Sequence, residues 1–385
     1  MNTVKNLKIK SGERVLLRAD FNVSMDKEKI TDDFRIRATL PTINYLRDKG
    51  AKVIIMAHLG RPGGKYNQEF SLMPVAERLG ELLKIDIKFF EGLEIAEGEI
   101  DAMEEGDVAL LENLRFDKRE KEGSKEFAKE LAALGDAYIN DAFGVAHREH
   151  TSVFALPKEI KRSAAGLLLQ KEVETLGEVI NNPKKPLSFV MGGAKVDTKL
   201  KLVSELFSHV DQFCLGGLIA NSIMKFQGME IGRSWHEDDI EDLIKGVDLS
   251  HQKLHMPKDV VVSTEDTGKA PARIIDIKDI KKSDMILDAG PDTISEFSNI
   301  IKKAGTVVWN GPLGLIEVEE FARGTRQLAR SLVRSKAKII VGGGDLMSVI
   351  DDVEATDSIY FASTGGGAML EFLAEGTLPA LEVLR

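Results

Sequence analysis

The stretch of the sequence richest in reactive side chains is "NDAFGVAHREHTS" at residues 140–152. It holds two of the seven histidines, His147 and His150, on either side of Arg148. On a helix, this spacing would place both imidazoles on one face. Three chemistries fit these residue types: a metal site, an acid–base pair of histidines, or a positively charged surface for an anion. The metal site is disfavoured, because no third ligand has an obvious local spacing and no HExxH motif is written here.

Charged side chains also follow several apolar runs in the first half of the chain. The runs "RVLLRADFN", "AKVIIMAHLGRP" and "DVALLENLRF" read as strands, and the polar residues that end them are Arg18, Asp20, Asn22, His58, Arg61, Glu112, Asn113 and Arg115. Arg35 lies near the start of a predicted helix, where exposed backbone amides add to a positive field. Ligands of open α/β sheets bind beyond the carboxyl ends of the strands. Since the guanidinium fork suits phosphate and carboxylate, we predict an anion site.

Glycine takes the place of charge in the second half. The turns "VMGGAK", "CLGG", "VWNGPLG", "IIVGGGD" and "FASTGGG" each follow an apolar run. Glycine lets backbone amides approach a phosphate closely, above all at a helix N-terminus. Lys195 and Lys199 would add mobile positive charge, and Asp345 is a candidate for holding Mg²⁺ together with phosphate oxygens. We therefore predict a nucleotide site in this half.

The elements that must position these side chains are alternating strands and helices. The chain has 385 residues, and its candidate strands are too many for one compact sheet. We predict an α/β fold of two doubly wound, Rossmann-like domains with mostly parallel sheets, joined by a helical hinge. A helix from Leu167 to about Ile180, the breaker "NNPKKP" and a new strand at Leu187 place the domains at 1–170 and 171–367.

The composition excludes several classes of protein. A formal net charge of −10 argues against a general nucleic-acid binder. The N-terminal "MNTVKNLKIK" does not read as a secretory signal, and no window is apolar enough to span a membrane. The single cysteine, Cys214, lies in the apolar run "QFCLGG", which indicates a buried, inert thiol. We expect a cytoplasmic protein without nucleic-acid or membrane partners.

The segregation of cations and glycine turns favours phosphoryl transfer between an anion site and a nucleotide site. Neither GxxxxGK[ST] nor a spaced GxGxxG opening the first helix is present, so both common nucleotide fingerprints are missing. A dehydrogenase on a doubly wound fold is one alternative, against which the missing GxGxxG counts. A homologue that binds its ligands without turning them over is another.

Nearly the whole sequence resembles the phosphoglycerate kinase family. The motifs "RADFNV", "DDFRIRATLPTI", "HLGRP", "LLENLRF", "DAFGVAHREHTS", "GGAKVDTK", "WNGPLGLIE", "GGGD" and "STGGGAMLEFL" occur in the family's order. The resemblance implies the glycolytic and gluconeogenic reaction 1,3-bisphosphoglycerate + ADP ⇌ 3-phosphoglycerate + ATP. It also implies Mg²⁺ as Mg-ADP or Mg-ATP, domain closure, in-line transfer, a monomer, and a C-terminal tail from about 368 to 385 that packs back on the first domain.

The resemblance also implies a role for individual residues. Arg35 and Lys195 would be catalytic, and Asp345 would hold the metal. The phosphoglycerate-binding residues would be Asp20, Phe21, Asn22, Arg35, His58, Leu59, Gly60, Arg61, Arg115 and Arg148. The nucleotide-binding residues would be Lys199, Glu317, Gly343, Gly344, Asp345 and Leu346. Several positions depart from the family: Ser24 stands where proline is usual, Val145 where a small hydroxyl residue is common, Glu149 where alanine is usual, and Leu346 where a hydroxyl is usual. The segment "LGLIE" also replaces the more usual Met and Val-Phe. We expect His147 and His150 to belong to the basic patch and to tune it by titrating near pH 6.5.

Overall fold

The chain divides into two compact units, which are described separately. The structure is a computed structural model that describes residues 1–27 and 29–384. The first unit comprises Met1–Glu174 and the tail from Thr377, and the second comprises Thr175–Gly376. The boundary predicted after residue 170 lies a few residues before this division. Residues 368–376, which were expected to belong to the tail, are part of the second unit.

Eight strands form the sheets of the first unit within its described residues. They are β1 (Arg14–Arg18), β2 (Ser24–Asp26), β3 (Lys29–Asp32), β4 (Lys52–Met56), β5 (Lys88–Phe90), β6 (Val108–Leu111), β7 (Ala137–Asn140) and β8 (Ser163–Ala165). The main sheet has the order β5-β6-β4-β1-β7-β8, and all of its pairs are parallel. The pair β2–β3 forms a separate antiparallel hairpin.

The central strands of this sheet are apolar on both faces. β1, β4, β6 and β7 are almost wholly buried, as expected for parallel strands covered by helices on both sides. Because these strands are parallel, their carboxyl ends meet at one edge of the sheet. This geometry brings together the polar residues that follow the four strands, which the sequence separates by more than a hundred positions.

The helices of the first unit are α1 (Phe34–Asp48), α2 (Met73–Leu83), α3 (Leu93–Glu99), α4 (Lys125–Ala133), α5 (Leu156–Glu159) and α6 (Leu167–Asn181). Helix α6 begins at the predicted residue and runs from the first unit into the second. Short 3-10 turns at Leu114–Phe116 and Lys118–Glu120 carry Arg115 and Glu120 of the candidate site, and a third such turn lies at Phe143–Val145. Residues 146 and 147 form a turn, residue 148 lies in a bend, and residues 149 and 150 have no regular structure, so His147 and His150 do not lie on one face of a helix.

The second unit contains two sheets in the part of the chain that the structure describes. Its strands are β9 (Leu187–Met191), β10 (Gln212–Leu215), β11 (Leu254–His255), β12 (Asp259–Ser263), β13 (Arg273–Asp276), β14 (Met285–Ala289), β15 (Thr306–Asn310), β16 (Lys338–Gly342) and β17 (Phe361–Ser363). Six strands form a parallel sheet of order β11-β10-β9-β15-β16-β17. The other three form an antiparallel sheet of order β13-β12-β14.

The helices of the second unit are α7 (Val196–Leu206), α8 (Gly217–Phe226), α9 (Pro291–Lys303), α10 (Arg323–Leu332), α11 (Gly344–Asp352) and α12 (Gly366–Glu375). They alternate with the parallel strands, which confirms the predicted α/β class with mostly parallel sheets. Cys214 on β10 is fully buried, and burial raises the pKa of its thiol well above the ordinary value, as expected for an inert core residue.

The described tail returns to the first unit with a short helix, α13 (Pro379–Glu382). Its Ala380 amide donates a hydrogen bond of 3.0 Å to the carbonyl oxygen of Ala146. This contact places the tail beside the residues that lead into "HREH". Across the described residues, the helices are each too short or too polar to cross a membrane.

Candidate functional site

A buried arginine and a buried histidine lie at the carboxyl edge of the first unit's sheet. Arg18 ends β1, and its Nη2 lies 3.1 Å from Nδ1 of His58, which follows β4. Because arginine only donates hydrogen bonds, Nδ1 of His58 must accept and Nε2 carries the ring proton. That Nε2 lies 3.9 Å from Oδ1 of Asp20. Burial, and then the charges of Arg18 and its neighbours, hold the pKa of His58 well below its ordinary value.

The loop after β1 connects three of the predicted substrate residues. The Asn22 side-chain oxygen accepts a 2.8 Å hydrogen bond from the Gly60 amide, and the Asn22 carbonyl accepts one from Arg35. Nη1 of Arg35 also lies 3.8 Å from Oδ1 of Asp20. Arg115 donates a 2.8 Å hydrogen bond to the Gly60 carbonyl. The structure therefore brings these five residues into one cluster around the carboxyl ends of β1 and β4.

Two other predicted residues have their side chains turned into the core. Phe21 and Leu59 are buried among the apolar side chains of the first unit, with exposures of 0% and 3%. Any contact of these residues with an anion must come from their backbone. The sequence motif therefore identifies positions in a loop rather than side chains that bind.

The cations of this cluster lie close enough together that each disfavours the protonated form of its neighbours. Burial, and then Arg18, lower the pKa of Arg115 to about 10. Burial, and then Arg115, Arg18 and Arg148, lower the pKa of His150 to about 4. The expectation that His150 titrates near pH 6.5 is therefore wrong, because a partly buried imidazole beside arginines stays neutral at pH 7.

Arg61 and Arg148 are exposed and approach the cluster from its rim. Arg61 contributes to the lowered pKa of Arg115, and Arg148 to that of His150, which shows that each lies near its neighbour. Glu149 is exposed beside Arg148. The first unit thus collects five arginines and two histidines around one surface, with Asp20 as the acid beside them.

A second buried acid, Glu120, is linked to Arg18 of the cluster through Ser152, and the sequence analysis did not identify it. Ser152 Oγ accepts a 2.7 Å hydrogen bond from Nε of Arg18, so its proton points to Oε1 of Glu120 at 2.6 Å. The Ser152 amide donates to the other carboxylate oxygen at 3.0 Å. Arg18, Glu120 and Ser152 are all fully buried. This network holds Arg18 against His58, and no spacing in the sequence connects its three members.

The second unit presents two lysines at the start of α7. Lys195 is exposed at the N-cap, and Lys199 lies one turn further on the same face. Lys199 is 3% exposed and donates a hydrogen bond to the Gly192 carbonyl. Burial, and then the charge of Lys195, lower the pKa of Lys199 to about 8. An anion placed between the two ammonium groups would relieve this repulsion.

Glycines line the approach to these lysines because side chains do not fit there. A Cβ on Gly192 would lie 2.0 Å from the Pro312 carbonyl oxygen. Gly343 has a φ of +109°, which favours glycine, and it directs the chain into α11 at Gly344. Gly344 is exposed, and a Cβ on it would meet no protein atom within 4 Å, so the first turn of α11 leaves room for a ligand.

A cavity of about 330 Å³ lies beside these turns, entirely within the second unit. Its polar lining includes Glu317 and Asp345, and its apolar lining includes Leu287, Leu313 and Ile316. Asp288 lies at its wall and accepts hydrogen bonds from the amides of Gly324 at 2.6 Å and Ala289 at 2.9 Å. Burial raises the pKa of Asp288 to about 7. Asp288 therefore ties β14 to the start of α10, a role that the sequence analysis did not identify.

Asp345 fits the predicted metal role by its position. It is an exposed carboxylate in the first turn of α11, at the edge of the cavity. Among the described residues, no group of three or more His, Cys, Asp or Glu side chains is arranged to hold a metal ion. A single carboxylate that shares Mg²⁺ with phosphate oxygens agrees with both observations. Leu346, in contrast, is fully buried in the core, so only its backbone is left for a nucleotide.

The fold and the two sites define a class: an α/β phosphotransferase with one unit for an anionic substrate and another for a nucleotide. A family model described as phosphoglycerate kinase matches residues 4–376. The chain is 45% identical over 381 residues to the phosphoglycerate kinase of Dictyoglomus turgidum, covering 97% of this chain and 96% of the relative. It is 41% identical to that of Finegoldia magna, with 99% and 98% covered.

Solved structures agree with these relatives. The phosphoglycerate kinase of Coxiella burnetii is similar with a TM-score of 0.82 at 40% identity, covering 99% of this chain and 98% of that one. The enzyme of Pyrococcus horikoshii is similar with a TM-score of 0.87 at 32% identity, covering 100% and 98%. The chain belongs to the phosphoglycerate kinase family.

Proposed function

We propose that this chain catalyses the reversible transfer of a phosphoryl group between 1,3-bisphosphoglycerate and ADP, giving 3-phosphoglycerate and ATP. The observation that carries the proposal is the cationic cluster of the first unit. Arg115 and His150 have lowered pKa values, first because both are partly buried and then because other positive charges lie close to them. An anion with both a phosphate and a carboxylate would neutralise these charges over a wide surface.

In this proposal the first unit holds the phosphoglycerate. Arg61, Arg115 and Arg148 supply guanidinium groups, and Asn22 and His58 supply polar contacts. The neutral Nε2–H of His58 donates a hydrogen bond, so the residue works without changing its charge. Asp20 orients Arg35 and His58 from the protein side, since its Oδ1 lies within 4 Å of both side chains.

The second unit holds the nucleotide. The amides of Gly343, Gly344 and Leu346 face the phosphates at the start of α11, where the helix dipole favours negative charge. Lys199 and Glu317 bind other parts of the nucleotide, and Asp345 holds Mg²⁺. When bound, Mg²⁺ neutralises developing charge on the phosphate oxygens.

The chemistry needs no general base. A carboxylate and an ADP phosphate oxygen are both ionised near neutral pH, so neither acceptor has a proton to lose. Catalysis then consists of positioning the reactants and stabilising charge on the transferred group. We assign that stabilisation to Arg35 and Lys195, and we propose that closure of the two units brings the reactants in line. The enzyme is proposed to act as a monomer, which light scattering of the purified protein would test.

The decisive experiment is a coupled assay of the purified protein with ATP, Mg²⁺ and 3-phosphoglycerate. We expect turnover that disappears when either substrate or Mg²⁺ is omitted. Folded protein that binds both ligands without turnover would support a non-catalytic homologue instead. An absorbance change with NADH and no kinase activity would support a dehydrogenase.

A further inference from the structure

Trp235 has an exposed ring that the proposed function has not used. It lies in the polar segment "IGRSWHEDD", outside every helix and strand, and it lines the cavity of the second unit. Its side chain is 43% exposed, whereas Trp309, the other tryptophan, is fully buried. An indole left open to water inside a concave site has apolar area that a flat ligand can cover.

The backbone around Trp235 is fixed. Nδ2 of the buried Asn221, on α8, donates a 3.0 Å hydrogen bond to the Trp235 carbonyl oxygen. The following Glu237 amide donates to Oγ of Ser222 at 2.9 Å, and Oγ of Ser234 accepts from the Ile286 amide at 2.8 Å. The segment is therefore tied to α8 on one side and to β14 on the other. The ring is held at the wall rather than on a free loop.

The cavity is lined by two kinds of group. Asp345 lies in the first turn of α11, directly after the glycine turn, and this helix N-terminus suits phosphates. Trp235 is tied to α8 and is next to a residue tied to β14, and these elements contribute Leu218, Ile286 and Leu287 to the lining, which suit an uncharged planar group. In a nucleoside diphosphate, the only group that matches the second environment is the base. A volume of about 330 Å³ is much larger than a phosphate group requires.

We propose that Trp235 stacks on the nucleobase and is the residue that sets the preference of this enzyme for purine over pyrimidine nucleotides. The inference rests on the proposed nucleotide site of the second unit. Stacking gives affinity in proportion to the overlap of the rings, so a purine gains more than a pyrimidine. The phosphates are bound elsewhere, which leaves the chemical step independent of Trp235.

The test compares Trp235→Leu with the matched control Phe226→Leu. Phe226 is also an exposed aromatic residue, 46% exposed, but it ends α8 and is absent from the cavity lining. Trp235→Leu should raise KM and Kd for ADP by about 5- to 100-fold while leaving kcat and KM for 3-phosphoglycerate close to wild type. The ratio of affinities for ADP and CDP should fall towards one. Trp235→Phe should recover part of both effects.

Tryptophan fluorescence gives a readout that does not depend on activity. ADP should change the emission of the wild-type protein, and pyrophosphate, which has no base, should change it much less. In Trp235→Leu, which keeps only the buried Trp309, the response to ADP should fall to the size of the response to pyrophosphate. A variant that keeps its ADP affinity and its ADP:CDP ratio within twofold of wild type would overturn the proposal while the kinase assignment stands. Absence of turnover in every protein, wild type included, would instead overturn the proposed function.

Discussion

The two units are proposed to recognise anions by opposite means. In this proposal the first unit uses charged side chains near the ends of β1, β4, β6 and β7, where burial and then neighbouring positive charge lower the pKa values of Arg115 and His150. The second unit uses backbone, and a Cβ at Gly192 would collide with its wall. Side-chain recognition suits a small substrate with two charged ends, because each arginine can be aimed. Backbone recognition suits polyphosphate, which repeats the same group.

The difference also appears in how each unit treats its buried acids. Glu120 in the first unit lies 4.0 Å from Arg18 and balances a buried cation through Ser152. Asp288 in the second unit accepts amide hydrogen bonds and positions the chain. One acid stabilises charge, and the other shapes a backbone. Loss of Glu120 should therefore act through the charge of the first unit, whereas loss of Asp288 should act through the backbone position of the second.

The largest effect is expected from Lys195→Ala, which removes an exposed cation from a site that otherwise relies on backbone amides and the buried Lys199. We expect kcat to fall by about 10²- to 10³-fold, the usual result of losing one group that stabilises transition-state charge. KM for 3-phosphoglycerate should change much less, because that substrate is held by the first unit. Steady-state kinetics with each substrate varied would measure both quantities.

Lys201→Ala is the control for this change. Lys201 is an exposed lysine on the same helix, and its ammonium pairs with Glu375 at 2.8 Å. It should keep the kcat of the wild type. If Lys195→Ala weakened 3-phosphoglycerate binding as much as it slowed turnover, its assignment to the transferred group would be wrong.

A smaller effect is expected from Gly344→Ala, which tests whether the second unit binds through its backbone. The added methyl group meets no protein atom within 4 Å, so the fold should tolerate it. It would occupy space where a phosphate approaches, and we expect KM for ADP to rise about tenfold with thermal stability unchanged. Isothermal titration with ADP and a thermal melt would separate the two outcomes.

Gly98→Ala is the matched control, because Gly98 is an exposed helical glycine on α3 with equally open surroundings. It should leave ADP binding as it is in the wild type. Unchanged ADP affinity in Gly344→Ala would show that no phosphate comes close to this amide. The comparison of side-chain and backbone recognition would then fail for the second unit.

Sequence reasoning identified site residues at the ends of strands but not those in the polar segments that connect other elements. β-strand runs and helix patterns located α6 and β9, since apolar periodicity and the "NNPKKP" breaker are local signals. Arg35, His58 and Arg115 were identifiable because each follows an apolar run or begins a helix. Glu120 and Trp235 were not, because they lie in polar segments whose partners are distant in the sequence. The antiparallel sheet of β12, β13 and β14 was also outside the parallel pattern.

The sequence also did not predict the charge states of the titratable site residues. A pKa depends on burial and on distances to other charges, and neither is written in a motif. His150 was expected to titrate near its ordinary pKa, yet its ring is partly buried and Arg115, Arg18 and Arg148 lie close to it. The motif "HREH" shows only one of those three arginines.

The smallest effect that we predict concerns the pH dependence of stability through His150. Its folded pKa of about 4 lies below the unfolded value, so the unfolded chain binds the extra proton first and stability falls as pH drops from about 6.5 towards 4. His150→Gln removes this loss. Between about pH 7.5 and 5, the variant should lose about 1–2 kcal/mol less unfolding free energy than the wild type, allowing for the partial exposure of the ring. Urea denaturation followed by circular dichroism at both pH values would measure this difference.

Asp141→Asn provides the contrast of opposite sign in the same unit. Burial raises the pKa of Asp141 to about 7, so the folded state takes up the proton first and gains stability as pH falls through this range. The asparagine variant loses that gain and should be more sensitive to acid than the wild type. If His150→Gln shared the acid sensitivity of the wild type while Asp141→Asn increased it, burial would still govern the acids of this unit. His150 would then not be kept neutral by its burial and the neighbouring arginines, and the account of the first unit as a surface of concentrated positive charge would lose its support there.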